Sequence, residues 1–396
     1  MDTRETASRV ALLAAGLLIG IALAELLARA FDPGVQVVFR ESITFSEDPA
    51  LVYELRPGAR DGRHRISSAG LRDDETPREK PAGTFRIAAI GDSLTHGSGG
   101  PRESAYPEQL EALLNARAGA AGPRFEVLNF GVPGYDIGQV ARRLRVLGLS
   151  FEPDVIVYGY VLNDPQAFSI EAEALRTLRD EAARYADADA SHVVGRWLAH
   201  SRLYQLAKGW AHRRDSLAML RAQMPNDPAY EAARSGDRVR YFRSIHTEGE
   251  SAARLRRGLD ELAAIAREHQ LPVLVVIFPL FGSEAGVGPE ALADVHQIVA
   301  VEASKRGFAV LDLLPVYAGA TRAFGTEMKL DFMHPDALGH RVAATAIRSW
   351  LCTAAWLPAG SLGCTGAPPA DATDAKIATA VAAALAGAAP APPAAP

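Results

Sequence analysis

From Phe85 onward the chain alternates short apolar runs with longer amphipathic stretches, and this alternation limits the possible folds more than any other feature. The runs are of strand length and lie at Phe85–Ile90, Phe125–Asn129, Val155–Tyr160, Val273–Phe278 and Ala309–Leu313. Apolar residues recur at helical spacing over Tyr106–Ala118, Ile137–Leu149, Ser251–His269, Pro289–Lys305 and Ala337–Trp350. Pro153-Asp154 and Pro272 stand just ahead of the third and fourth runs, where proline is tolerated as the entry to a strand. Five strands with interleaved helices predict an α/β fold, a three-layer α/β/α sandwich around a five-stranded, mostly parallel sheet. Ligands of such sheets bind beyond the carboxyl ends of the strands, so the residues just after each run are where chemistry is to be sought.

The segments outside this rhythm sort by composition. Val10–Ala24 is an unbroken apolar run, and continuing it past Glu25 and Arg29 to Phe31 reaches the roughly 17–25 residues of a membrane span. Ala22-Leu23-Ala24 resembles a signal-peptidase site, whose use would release a secreted protein. The mixed charge ahead of the run (Asp2, Arg4, Glu5, Arg9) favours an uncleaved anchor over residues 1–31, with the rest of the chain outside the cytoplasm, in the periplasm. Residues 32–84, rich in turn formers, read as a wrap around the domain. About 90 residues separate the third run from the helix near Ser251, too many for a crossover loop. There Trp197, Leu198, Leu203, Tyr204, Leu206 and Trp210 fall near helical spacing, which predicts a helical subdomain, or in its functional version a lid over the cleft. Ala367–Pro396 holds 15 Ala and 6 Pro, too little to build a core, so residues 353–396 read as a disordered tail with at most a transient helix around Ala375–Leu385.

Charge and cysteine content exclude some functions. A formal net charge of −5 carries no basic signature for nucleic acid. The Arg-rich stretch Arg238–Arg257 reads as a solvated helix face. Cys352 and Cys364 are the only cysteines; they suit a local disulfide in an exported protein and two plain thiols in a cytosolic one. Without a matching histidine pair they do not make a zinc site.

Four blocks carry chemistry. The first run ends in Gly91-Asp92-Ser93-Leu94-Thr95-His96-Gly97, which puts the Ser93 hydroxyl at the carboxyl edge of the sheet. Asp331-Phe332-Met333-His334-Pro335 precedes the last long helix; on a tight turn its carboxylate can reach Nδ1 of the imidazole and leave Nε2 to take a proton from serine. Asn129-Phe130-Gly131-Val132-Pro133-Gly134-Tyr135-Asp136 follows the second run and Val161-Leu162-Asn163-Asp164 the third. A glycine lets its amide approach a ligand closely and an asparagine supplies a neutral donor, so with the Ser93 amide they can form an oxyanion hole. Taken singly, the Ser93, Gly134 and Asn163 blocks read more readily as turn or cap chemistry, and the Asp331-His334 block equally well as a helix cap.

In this order and at these places, the four blocks resemble the SGNH or GDSL hydrolase superfamily. Its four name-giving residues map onto Ser93, Gly134, Asn163 and His334, and Asp331 completes its Asp-x-x-His block. The resemblance covers roughly Phe85–Pro165 and Ser251–Trp350. It implies a flavodoxin-like sandwich over 85–352 with a helical insertion at 165–250. It further implies Ser93 as nucleophile, His334 as base, Asp331 as its orienter, and oxyanion donors at Ser93, Gly134 and Asn163. No metal and no cofactor is called for. One departure stands out: Val161 replaces the glycine that usually opens the third block, a β-branched side chain expected to shift the loop or narrow the cleft.

The rival motifs are weaker. Gly97-Ser98-Gly99-Gly100 lacks the spacing of a dinucleotide fingerprint, and Thr95 stands where a G-x-S-x-G elbow would close. No acidic cluster or lysine motif supports Asp92 as a phosphoryl acceptor, and His96 and His340 read as structural polar residues near the site. The expected function is hydrolysis of carboxylic (acyl or acetyl) esters of a small molecule, a lipid or an acylated glycan. One alternative is an O-acetyltransferase or acetylesterase acting on cell-envelope or extracellular polysaccharide; another is a carbohydrate-binding protein on a decayed hydrolase fold.

Overall fold

A computed structural model describes residues 3–31, 42–166 except 63 and 117–121, residue 203, and 228–386 except 283–287, 359–360, 362–363 and 365–370. The chain divides into two units, residues 1–40 with 173–223 and residues 41–172 with 224–396.

In the first unit the apolar N-terminal run forms α1, Thr3–Phe31. Leu12, Leu13, Leu17, Ile19, Ile21, Leu23, Leu26 and Leu27 are exposed along it, and Glu25 accepts the backbone N–H of Leu203 at 3.0 Å. Among the described residues no helix is long and apolar enough to cross a membrane, so the span expected over residues 1–31 is not found. Trp197, Leu198, Tyr204, Leu206 and Trp210 lie outside the described residues.

The second unit opens with two small antiparallel ladders, β1 (Ile43–Phe45) with β2 (Tyr53–Leu55) and β3 (Arg60–Asp61) with β4 (His64–Arg65). The sheet follows, from β5 (Thr84–Gly91), β6 (Arg124–Asn129), β7 (Val155–Tyr160), β8 (Val273–Ile277) and β9 (Ala309–Asp312). Its order is β6-β5-β7-β8-β9 with every neighbouring pair parallel. Every residue of β7 and β8 is buried, as expected for strands covered on both faces. The order reverses at β5, and such a reversal opens a crevice between the carboxyl ends of β5 and β7.

The helices are α2 (Ser93–His96), α3 (Tyr106–Asn115), α4 (Ile137–Val146), α5 (Pro228–Ser235), α6 (Arg238–Thr247), α7 (Gly249–His269), α8 (Ala293–Ser304), α9 (Leu314–Phe324), α10 (Ala337–Thr353) and α11 (Ala372–Ala386). One face of the sheet is covered by α3 and α10, which pack together and bury Tyr106, Leu110, Leu114, Val342, Ala343, Ala346 and Ile347 in one core cluster. Burying a side chain of this kind is worth roughly 1.5–3 kcal/mol, and Ile347→Ala would cost about 2–5 kcal/mol once the cavity is counted. α4 packs on α7; Asp136 caps α4 by accepting Gln139 N–H at 3.0 Å and pairs with Arg254 of α7 at 2.7 Å.

Two features of the C-terminal region differ from a disordered tail. Cys352 and Cys364 form a disulfide, with Cα atoms 5.3 Å apart. Beyond it α11 buries Ile377, Ala380 and Val381 against α9 and α10, and Arg341 holds Asp374 through two bonds of 3.0 and 2.9 Å. Alanine is the best helix former, and the 377–380–381 spacing supplies one apolar stripe, so a partner surface suffices to order this stretch.

Candidate active site

Glycine geometry sets the first part of the site. Gly91 closes β5 at φ +154°, and a Cβ there would lie 2.2 Å from Thr95 Oγ1 and 2.8 Å from Gly159 O. Only a residue without a side chain lets the chain turn off the sheet this close to β7. Asp92, wholly buried, then accepts Leu94 N–H at 2.9 Å and caps the single turn of α2, whose first residue is Ser93.

Ser93 Oγ lies 2.9 Å from His334 Nε2. Nδ1 of the same ring is 3.0 and 2.9 Å from the two carboxylate oxygens of Asp331. Asp331 also accepts the N–H groups of Met333 and His334 at 2.7 and 2.8 Å, so one carboxylate both shapes the turn and orients the ring. Partial burial raises the Asp331 pKa, but the His334 side chain and these two N–H groups outweigh it and hold the carboxyl below its ordinary value. The turn is fastened by Leu330 N–H to His334 O and Phe281 N–H to Phe332 O, both 2.8 Å, and Arg238 stacks on Phe332 at 4.5 Å.

Gly134 follows β6 at φ +81°, where a Cβ would come within 2.8 Å of the Tyr53 hydroxyl; that hydroxyl donates to Pro133 O at 2.7 Å. Earlier in the same loop Gly131 lies against α2, since a Cβ on it would sit 2.3 Å from His96 N. Asn163 follows β7, and its side chain hydrogen-bonds Asp92; burial nevertheless keeps the Asp92 pKa raised. Among the described residues Asn163 Oδ1 has no hydrogen-bond partner. Asp164 accepts Tyr158 O–H at 2.6 Å and Val161 N–H at 3.2 Å, and its pKa stands well above 3.8 through burial and the neighbouring Asp92. Val161 does not narrow the cleft: its side chain is buried within the core cluster.

The structure thus joins Ser93, His334 and Asp331 in one chain of hydrogen bonds, and sets Asn163 beside them through Asp92. Gly134 joins no hydrogen bond with these residues; its loop meets theirs at Gly131. His96 and His340 are structural: His96 Nδ1 faces Ser98 Oγ at 3.2 Å, and His340 stacks on Tyr106 with centroids 6.4 Å apart. Burial, then the charges of His334 and Arg72, bring the His340 pKa down to about 3. Among the described residues no group of three His, Cys, Asp or Glu side chains is arranged to hold a metal ion.

A model of the GDSL-like lipase/acylhydrolase family matches residues 89–342, which include all five of these residues. The chain belongs to this family. GDSL-type enzymes are ester hydrolases, so by family this chain is an ester hydrolase, and residues 42–82 lie outside the matched stretch. No curated protein matches the chain. Among solved structures it is similar to LAE5, an alpha/beta hydrolase from the metagenome of Lake Arreo, Spain (18% identity over 72% of this chain and 97% of that one, TM-score 0.38). It is also similar to the lipase/acylhydrolase from Enterococcus faecalis (14% identity, 67% and 93%, TM-score 0.37). A third is a catalytic mutant of the acetylxylan esterase Axe2 from Geobacillus stearothermophilus (14% identity, 67% and 92%, TM-score 0.37).

Sequence reasoning missed Tyr53, Arg72 and Asp73, which reach the site loops from the wrap. No local signal marks them, because each acts through the backbone of residues far along the chain.

Proposed function

We propose that the protein is a serine esterase that cleaves carboxylic esters through an acyl-enzyme. The observation that carries the reading is the Ser93 Oγ to His334 Nε2 distance of 2.9 Å with Asp331 on the far side of the ring. A serine hydroxyl is a poor nucleophile at neutral pH and needs a base within hydrogen-bond reach. Ser93 Oγ adds to the ester carbonyl as its proton passes to His334 Nε2. The imidazolium that forms faces the Asp331 carboxylate and then protonates the departing alkoxide. Water repeats the sequence on the acyl-enzyme, with His334 again as base, and the acid is released.

The tetrahedral oxyanion is assigned to the backbone N–H groups of Ser93 and Gly134 and to Asn163 Nδ2. The amide of Asn163 has two N–H bonds, so the hydrogen bond to Asp92 orients it and leaves one for the oxyanion. Export from the cytosol belongs to the same proposal. A Cys352–Cys364 disulfide suits an oxidising compartment, and α1 with its exposed aliphatic side chains is the proposed attachment to a membrane, which cell fractionation of the full chain tests.

The deciding experiment is labelling of the full-length protein with a fluorophosphonate, with hydrolysis of a short aryl acetate alongside. Both are expected in the wild type and absent in Ser93→Ala. Folded wild-type protein that does neither overturns the reading. Acyl transfer to a glycan hydroxyl uses the same first half-reaction, so adding an oligosaccharide acceptor separates esterase from transferase: faster loss of acyl-enzyme with transfer product supports the latter.

A further inference from the structure

We infer that Arg72, in the N-terminal wrap, is a positioning residue for the Ser93 loop. The inference rests on the reading of Ser93 as nucleophile. α2 has four residues, too few to hold itself, and a helix end leaves carbonyls without partners. Arg72 is 4% exposed and takes them. Nη1 donates to His96 O at 2.8 Å and to Gly97 O at 3.2 Å, and Nη2 donates to Gly100 O at 2.8 Å. Asp61 fixes the guanidinium from the other side, accepting Nε at 2.5 Å. A planar fork can bind carbonyls three and four residues apart at once, which an ammonium cannot, and its charge suits the carboxyl end of a helix.

The next residue acts on the facing loop. Asp73 accepts Asn129 N–H at 3.0 Å, and Asn129 Oδ1 in turn accepts Gly131 N–H at 3.0 Å. Gly131 is the residue packed on His96 N, so Arg72 and Asp73 together brace the two loops where they meet. A shift of α2 changes the approach of Ser93 Oγ to His334 without changing what binds in the crevice.

The molecule contains its own control. Arg86, on β5, is fully buried and makes equally dense contacts, with Glu126 and the carbonyls of Pro77, Arg78 and Phe151, all at 2.7 Å. None of these partners adjoins Ser93, Gly134, Asn163 or His334. The test compares Arg72→Lys with Arg86→Lys in the full chain, reading folding by circular dichroism, kcat and KM on an aryl acetate, and the fluorophosphonate labelling rate. Arg72→Lys is expected to lower kcat and labelling rate by about 10- to 100-fold with KM within about twofold. Arg86→Lys is expected to lower the melting temperature and leave kcat and labelling within about twofold. Folded Arg72→Lys with wild-type kcat and labelling overturns the inference, as does an equal loss in both variants. Should Arg72→Lys fail to fold, Asp61→Asn keeps the guanidinium and removes the charge that orients it; a several-fold loss of labelling is then expected, and wild-type kcat and labelling overturn the inference. Folded wild-type protein that neither labels nor turns over the acetate removes the Ser93 reading and this inference together.

Discussion

The two loops that meet at the site are held in opposite ways. The Ser93 loop is buried, with Asp92 and Thr95 at 0% exposure and His96 at 2%, and its partners come from distant stretches: Arg72, Asn163 and, through Thr95 Oγ1, the Tyr106 hydroxyl at 3.1 Å. The His334 loop is open, with the Asp331 side chain 53% exposed, and Asp331 itself supplies three of the bonds that shape it. A nucleophile must meet the substrate carbonyl at a fixed angle, which needs a rigid mount; a base that passes a proton needs only the right ring orientation. The first requirement is met by tertiary packing, the second chiefly by contacts within Asp331–His334, to which Phe281 N–H adds one long-range bond at Phe332 O.

Substitutions can break this contrast, beginning with the largest effect. Ser93→Ala should lower kcat on an aryl acetate by about 10⁶-fold with little change in melting temperature, since it removes the proposed nucleophile and, of the loop's own contacts, only the long 3.4 Å hydrogen bond from Ser93 Oγ to Asp92. Asp331→Asn tests the self-organised loop. An amide oxygen can still accept the turn's N–H groups but no longer specifies the tautomer, so kcat should fall by about 10⁴-fold with the fold retained; a loss under tenfold would separate Asp331 from the chemistry. Asn163→Ala removes one proposed oxyanion donor and should cost about 10²–10³ in kcat. An Asn163→Ala enzyme of unchanged activity would sink that assignment.

Two carboxyl groups near the site, exposed Asp331 and buried Asp164 after β7, should respond to pH with opposite signs. Asp331 is held below 3.8 in the fold, so its contribution is present above that value and is lost as pH falls through the folded pKa. Its exposure keeps this contribution small. Asp164 is held well above 3.8, chiefly by burial. The native state then keeps a proton the unfolded chain has lost, so its contribution is present below 3.8 and declines as pH rises toward the folded pKa. Asp164→Asn should therefore gain melting temperature relative to the wild type as pH rises above about 4, a difference on the order of a few degrees. No such gain would mean that Asp164 ionises freely.

What could be read ahead of the structure follows the same division. The sheet strands were legible because a strand buried on both faces must be apolar throughout. Asp331 and His334 were legible as a pair because their spacing is their geometry. The direction of the Val161 side chain was not legible: sequence marks a β-branched residue in the block, and the structure turns that side chain into the core. α11 was hidden for a related reason, since Ala372–Ala386 has too narrow an apolar stripe to order alone and folds against α9 and α10.

The chain by itself determined the five-stranded α/β architecture, the order of the four blocks, and the short-range chemistry of the His334 turn, because periodicity and local spacing are properties of neighbours in sequence. Only the tertiary structure decided that the Cys352 and Cys364 thiols meet, that Asn163 holds Asp92, and that a wrap outside the family match braces Ser93. The Arg72 bonds to the His96, Gly97 and Gly100 carbonyls span 24 to 28 residues. Backbone carbonyls look alike at every position, so nothing in a sequence says which of them a buried arginine will find.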